Sequence, residues 1–303
     1  MKVLLIINPT ASRVVARRRC EVEDILAASH DLTVAVTTSR GHATELARQA
    51  ADKVDVVLVL GGDGALNEAA NGLVGSSTAL APVPAGSTNV FARTIGLTND
   101  PGQAARELVA ALNRGSRRRV EMGTVNGRYF LFHLGVGFDA EVVARVEAMG
   151  PLKRHVGQPA FVYAGLATWF GQPDRAKPKF SVQMSNEGAV HQASFVICLN
   201  TDPYTFLGRR PLNVAPAAGL GRPLAVAVLH DLRLATITSA LRSVLDTGVD
   251  LGRRPGVTVC AEVEALTVTA AQPVAHQVDG DYLGRADTLR VGYERECLDI
   301  VLP

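Results

Sequence analysis

The first 60 residues alternate short apolar runs with segments whose apolar positions recur every three or four residues. This pattern predicts a strand at Lys2 to Ile7, a helix near Val14 to Ala28, a strand at Leu32 to Thr37, a helix at Ala43 to Ala51 and a strand at Val54 to Leu60. A further apolar run predicts a strand at Ala79 to Val83, followed by an amphipathic stretch at Val90 to Ile95 and a helix at Gln103 to Arg114. Alternating β and α elements favour a parallel sheet with helices on its faces, in which ligands sit beyond the carboxyl ends of the strands.

After Arg114 the texture changes. Strands are expected on either side of an Asn126-Gly127 turn, including one at Tyr129 to Leu134, and then mostly short β segments punctuated by Gly and Pro. Helices are expected near Ala160 to Phe170 and Leu234 to Leu245; the first is apolar and could line an acyl-chain cleft, although a buried core helix is the commoner meaning of such a segment. The expected organisation is α/β: a parallel-sheet domain over residues 1–122 and a β-rich, sandwich-like domain over 123–303. The last apolar strand, about 296–303, either closes the second domain or returns to the first.

At 303 residues, 47% of them hydrophobic and 20% charged, the chain has the composition of a folded protein with two domains or one large one. A net charge of +2 with only short Arg runs gives no footprint for nucleic acid. The four cysteines are far apart and suggest neither a zinc site nor a redox pair, so reduced thiols and a cytoplasmic setting are expected. The apolar run Val3 to Ile7 is too short for a signal peptide, and the uncharged stretch from Val156 to Pro173 is interrupted by Gly, Gln and Pro.

The strongest chemical signal is Gly61-Gly62-Asp63-Gly64-Ala65-Leu66-Asn67-Glu68, placed after a buried-looking strand and at the start of a helix. Glycines let the backbone approach an anion closely, and the N–H groups of a helix start supply donors to phosphate oxygens. Asp63 beside a polyphosphate needs a cation between them, which assigns it to Mg²⁺; an ordinary strand-to-helix turn with an Asp cap is the plainer reading. The loop fits neither the Walker pattern, since no Lys follows, nor the dinucleotide pattern, since Asn67 stands where a small residue is needed. Gly135-Val136-Gly137-Phe138-Asp139-Ala140 matches the dinucleotide spacing. No acidic residue lies between Ala148 and Pro173 to meet a ribose, so a tight turn after a strand is the better account.

Three further strand ends carry polar residues suited to phosphate or nucleotide: Pro84-Ala85-Gly86-Ser87-Thr88-Asn89, Asn8-Pro9-Thr10, and Thr37-Thr38. Each alone reads as a turn or helix cap; together, at successive strand ends, they point to one site. Near the C-terminus, Gln277-Val278-Asp279-Gly280-Asp281 places a carboxylate, Asp279, where it can accept a proton from a hydroxyl nucleophile, although the same residues also read as an Asp-Gly hairpin.

Taken together, Asn8-Pro9, the Gly61 to Glu68 loop, Pro84 to Asn89, Gly135 to Ala140 and Val278-Asp279-Gly280 resemble the diacylglycerol kinase catalytic-domain family, which includes sphingosine kinases. The resemblance implies an ATP-binding first domain, a β-rich second domain and a substrate cleft between them. It implies ATP contacts from Thr37 or Thr38, from Gly62 to Glu68 and from Ser87, with Mg²⁺ as cofactor and Asp279 as proton acceptor. The implied acceptor is a lipid alcohol, most simply diacylglycerol, reached by peripheral contact with a membrane surface; a homodimer is left open.

The sequence departs from that family's pattern at three places. Val90 stands where an Asp is common, Asp281 replaces a Glu, and Ala215 to Ala225 contains no acidic residue for a structural Mg²⁺. Two other readings stay in view, an NAD kinase-like phosphotransferase and a nucleotide or lipid sensor without turnover.

Overall fold

The computed structural model describes residues 1–149, 158–172, 174–185, 187–245 and 250–303. The chain divides into two compact units, Met1–Met122 with Glu294–Pro303, and Gly123–Tyr293.

In the first unit, strands β1 (Lys2–Ile7), β2 (Asp31–Val36), β3 (Val56–Gly61) and β4 (Ala79–Pro84) are all parallel, in the order β4-β3-β1-β2. The chain's final strand β16 (Asp281–Val301) joins the far side of β4 through Ile300, opposite Leu80. Strands β3 and β4 are buried along their whole length, as are the five residues of β1 after Lys2, because helices cover both faces of the sheet. Helices α1 (Ala16–Ala27) and α5 (Pro101–Asn113) enclose one core, in which Val22, Leu26 and Leu108 meet Leu5, Leu58 and Val83. Helices α2 (His42–Ala50) and α3 (Asp63–Leu73) pack on each other so closely that a Cβ on Gly72 would lie 2.5 Å from the Thr44 carbonyl oxygen. The short helix α4 (Val90–Thr94) follows β4.

In the second unit the strands are antiparallel, in the order β14 (Val257–Val263), β13 (Leu224–Leu229), β10 (Phe195–Leu199), β7 (His133–Gly137), β15 (Ala265–Val278) and the N-terminal part of β16. Strand β8 (Phe180–Met184) flanks β15 and carries β9 (Val190–Ala193). Strand β5 (Arg117–Val125) turns at Asn126-Gly127 into β6 (Arg128–Phe130), and β11 (Thr205–Leu207) and β12 (Arg210–Leu212) form a separate hairpin. The period of two along β10 sends Val196 and Cys198 into one core and Ile197 and Leu199 into another, so this sheet too is buried on both faces. Helices α6 (Phe138–Ala148), α7 (Gln158–Phe170) and α8 (Leu234–Leu245) complete the unit.

Two sequence expectations are corrected here, and a third is refined. The single strand expected at Tyr129 to Leu134 is two strands, β6 and β7, separated at Leu131-Phe132, whose backbone N–H groups turn away to bind a carboxylate instead of a neighbouring strand. The β segments are mostly short, as expected, but β15 and β16 run for 14 and 21 residues, and irregular register between Thr269 and Val274 and between His276 and Gln277 lets so long a hairpin bend. The apolar helix ending at Phe170 is not a core helix, since Tyr163, Leu166 and Phe170 are 63%, 55% and 69% exposed while Ala164 and Thr168 face inward. Among the described residues no helix is long and apolar enough to cross a membrane.

Candidate active site

In the first unit the four polar loops identified from sequence lie along the carboxyl edge of the parallel sheet. Each is fastened to its neighbour where the strand pairing ends: Asn8 N–H donates to the Leu60 carbonyl at 3.0 Å, Thr37 N–H to Ile7 at 2.9 Å, and Ala85 N–H to Gly61 at 2.8 Å. Arg13 N–H extends the tie from the first loop to the Ala85 carbonyl at 2.9 Å. Asn8 turns its own loop by accepting from the Thr10 N–H and hydroxyl at 3.0 and 2.8 Å.

The two glycine loops touch backbone to backbone. A Cβ on Gly86 would lie 2.7 Å from Gly62 Cα, and one on Gly62 would lie 3.3 Å from Gly86 Cα. Asn89, in the left-handed region with φ 54°, locks the second loop: its side chain accepts from Gly86 N–H at 2.8 Å and donates to the Gly86 carbonyl at 3.0 Å and to Asn99 Oδ1 at 2.7 Å. Asn99 escaped the sequence reading. Its only signal was the Asn-Asp-Pro turn ahead of α5, in which Asp100 caps the helix through Gln103 N–H.

Helix α3 begins at Asp63 with no side-chain cap, and its first-turn amides, which an α-helix leaves without intrahelical partners, lie just beyond Gly62. Asp63 instead caps a different helix. Its carboxylate accepts from Val90 and Phe91 N–H at 2.9 and 3.1 Å, at the start of α4. Glu68, expected at the nucleotide, is buried and accepts from Gly41 and Ala43 N–H at 2.8 and 3.3 Å, at the start of α2. Leu66 and Asn67 are buried as well, and Asn67 Oδ1 accepts from Asn71. Gly64, Ala65, Pro9, Ser87, Thr88, Thr37 and Thr38 retain at least partial exposure at this edge. Thr38 meets His42, with N–H and hydroxyl 3.1 and 3.0 Å from its Nδ1. Among the described residues no group of three or more His, Cys, Asp or Glu side chains is arranged to hold a metal ion.

In the second unit, Asp279 and Gly280, with φ 49° and 83°, form the two-residue turn between β15 and β16, in which Val278 pairs with Asp281. Left-handed backbone at both positions is what a type I′ hairpin requires, and Asp followed by Gly is one of the pairs that tolerate it. The Asp279 carboxylate is buried and accepts three backbone N–H groups, from Leu131 at 2.7 Å, Phe132 at 3.0 Å and His133 at 3.1 Å. Asn200 braces that donor segment by donating its side-chain amide to the Leu131 carbonyl at 2.9 Å.

The His133 ring lies 4.7 Å from the rings of both Phe132 and Tyr204, with Nδ1 buried and, among the described residues, without a hydrogen-bond partner. Burial pushes its imidazole down from 6.5 to about 3. Between these values the unfolded chain binds a proton that the folded one does not, so this contribution to stability is complete above pH 6.5 and is lost as pH falls. Acidification from pH 7 to pH 5 is expected to cost about 2 kcal/mol through this group. Urea unfolding of His133→Phe should show that much less pH dependence than the parent chain; equal dependence would refute the assignment.

The comparisons with known proteins bear on this arrangement. The family model of the diacylglycerol kinase catalytic domain matches residues 2–125, the segment that carries all four loops. Over that segment the chain is similar to the family. A diacylglycerol kinase of Bacillus subtilis is 32% identical over 167 residues, covering 54% of this chain and 54% of that protein, and one of Staphylococcus saprophyticus is 32% identical over 168 residues, covering 53% and 52%. The match therefore spans about half the length of these curated relatives. A solved diacylglycerol kinase structure from Bacillus anthracis superposes with a TM-score of 0.74 at 19% identity, covering 100% of this chain and 97% of that one. An NAD kinase from Archaeoglobus fulgidus in complex with ATP gives 0.51 at 11% identity, covering 99% and 93%. The fold is thus the α/β fold of diacylglycerol and NAD kinases, with its second β-rich region.

Proposed function

We propose that this chain is an ATP-dependent kinase that transfers the γ-phosphate to the hydroxyl of a lipid alcohol, with diacylglycerol as the first candidate. The observation that carries the reading is the backbone contact of Gly62 with Gly86, which opens the uncapped start of α3 at the carboxyl edge of the parallel sheet. Helix-start amides at such an edge suit phosphate oxygens, and the partly exposed Ser87, Thr88, Thr37 and Thr38 add neutral donors beside them. Asn8 and Asn89 hold the loops in shape.

Mg²⁺ fits as an ion carried on the nucleotide's phosphates, because the chain offers it one carboxylate at the helix start, Asp63, and, among the described residues, no cage of its own. When bound, the ion offsets phosphate charge. The chain's residues do the rest: backbone amides orient the phosphates, and Asp279 accepts the proton of the attacking hydroxyl. Asp63 fixes the start of α4 and so connects the two glycine loops.

The exposed stripe of Tyr163, Leu166 and Phe170 on α7 supports peripheral contact with a lipid surface, with Trp169 beside it carrying the Arg175 guanidinium 3.9 Å above its ring. Leu166→Glu with Phe170→Glu is expected to weaken co-sedimentation with lipid vesicles by about tenfold or more. Unchanged co-sedimentation would remove α7 from the membrane contact.

The test of function is transfer of labelled γ-phosphate from ATP to mixed micelles of diacylglycerol and other lipid alcohols, run beside NAD⁺. Label in a lipid supports the proposal and names the acceptor. Label in NAD⁺ alone moves the chain to the NAD kinase reading, with which it shares the fold, and ATP binding without any transfer leaves a sensor.

A further inference from the structure

Behind the Asp279 turn lies a buried polar chain that the proposed transfer does not use. Gln277 is fully buried on β15 and its amide faces two ways: Oε1 accepts from Gly280 N–H at 2.9 Å, and Nε2 donates to Asp139 Oδ2 at 2.6 Å. Asp139, in the first turn of α6 and 8% exposed, accepts the Tyr204 hydroxyl on its other oxygen. Burial pushes the Asp139 carboxyl up, against the pull of these two hydrogen bonds, and burial followed by the adjacent Asp139 charge pushes the Tyr204 hydroxyl well up. Gly135 leaves the space for the pair, since a Cβ there would lie 1.9 Å from Asp139 Oδ2 and 2.5 Å from Gln277 Nε2. The glycine of the apparent dinucleotide motif is thus accounted for by a carboxylate and an amide, and not by a nucleotide.

The orientation of the amide follows from elementary donor and acceptor rules. Gly280 N–H can only donate, so the Gln277 oxygen must face it, and the NH₂ must then find an acceptor on the other side. Asp139 supplies that acceptor. We propose that Asp139 and Gln277 are a positioning pair: the carboxyl of Asp139 fixes which way the Gln277 amide points, and the amide fixes Gly280 and with it the placement of the Asp279 carboxylate. Neither residue touches substrate in this role, which rests on the reading of Asp279 as proton acceptor.

The pair can be tested by reversing its polarity. Gln277→Glu still accepts from Gly280 N–H but sets a second acceptor against Asp139 Oδ2, so two buried carboxylates oppose each other. Asp139→Asn alone is tolerated, because the new amide oxygen can still accept from Gln277 while its NH₂ donates to the Tyr204 hydroxyl, which rotates to accept. Combined, the two substitutions recreate every hydrogen bond. The amide introduced at position 139 donates to the carboxylate introduced at position 277, that carboxylate accepts from Gly280 N–H, and the Tyr204 hydroxyl donates to the amide oxygen at position 139.

With ATP and micellar dioleoylglycerol, Gln277→Glu is expected to lower kcat about 100-fold with KM for ATP changed less than about twofold. Asp139→Asn should retain kcat within about threefold, and the double variant should recover to the same level. The Gly280 amide resonance, read in [¹⁵N]glycine-labelled protein, should move in Gln277→Glu and return in the double variant. A packing role alone predicts additive losses and no return.

A double variant whose Gly280 resonance does not return overturns the pair. So does one that fails to recover kcat while Asp279→Asn is inactive. If Asp279→Asn keeps full transfer while the Gly280 resonance behaves as expected, the pair stands and it is the assignment of Asp279 as proton acceptor that falls.

Discussion

Asp279→Asn is expected to lower kcat for phosphoryl transfer by about 10²- to 10⁴-fold, the loss typical of removing a positioned base. The substitution keeps Oδ1, which accepts from Phe132 and His133 N–H, but exchanges Oδ2, which accepts from Leu131 N–H at 2.7 Å, for an NH₂ group. Flipping the amide only moves the conflict, because all three protein groups are donors. One buried N–H therefore loses its acceptor, at a cost of about 1 to 3 kcal/mol. Activity and stability fall together but for different reasons, and the measurement must separate them. Thermal unfolding should show a lowered but cooperative transition, ATP titration should show unchanged affinity, and single-turnover transfer should be nearly absent. A folded variant with parental turnover would take the proton-acceptor role from Asp279.

The turn itself shows why the sequence left two readings of Asp279-Gly280 open. The hairpin reading holds: the residues take the left-handed angles of a two-residue turn. The same geometry aims the carboxylate at the gap between β6 and β7, about 146 to 148 positions away in the chain. No local pattern announces such a partner. The expected strand across Leu131 and Phe132 failed for the same reason, since their apolar side chains satisfy a strand pattern while their amides are committed elsewhere.

In the first unit the strands were legible because parallel strands buried on both faces leave unbroken apolar runs, and the loops because Gly, Asn, Ser and Thr accumulate where those runs end. Legibility stopped at the acidic side chains. Asp63 and Glu68 sit in the most informative motif, yet their oxygens cap α4 and α2, elements 25 to 28 positions away in either direction. A carboxylate near a phosphate loop and a carboxylate holding a neighbouring helix read identically in one dimension. Val90, noted as the loss of an acid, contributes here through its backbone N–H, which any residue other than proline would supply. The sequence of α7 leaves core and cleft readings open because it is largely apolar, and only the fold tells that Ala164 and Thr168 are the buried side.

Gly86→Ala should be a damaging change at the meeting point of the two glycine loops in the first unit. The added methyl would meet Gly62 Cα at 2.7 Å and Asn89 Oδ1 at 2.9 Å, well inside ordinary carbon contacts of about 3.5 to 4 Å. No rotamer can relieve a clash between main chains. The loops must separate, and the bonds that converge there, from Gly86 N–H to Gly61 at 3.1 Å and to Asn89 at 2.8 Å, must stretch with them. Strain of this kind costs about 1 to 3 kcal/mol. Because the same movement displaces the start of α3 from the phosphates it is proposed to hold, ATP affinity should fall about tenfold or more, each ~1.4 kcal/mol being a factor of ten. Gly219→Ala is the matched control: a Cβ there meets nothing within 4 Å, and the substitution should be neutral or slightly stabilising by restricting the unfolded chain. Calorimetric titration with ATP and urea unfolding of both variants decide the point. Parental ATP affinity in Gly86→Ala would mean that the contact between the glycine loops shapes the fold without shaping the nucleotide site, and the proposed phosphate cradle would have to be sought at another strand end of the same sheet.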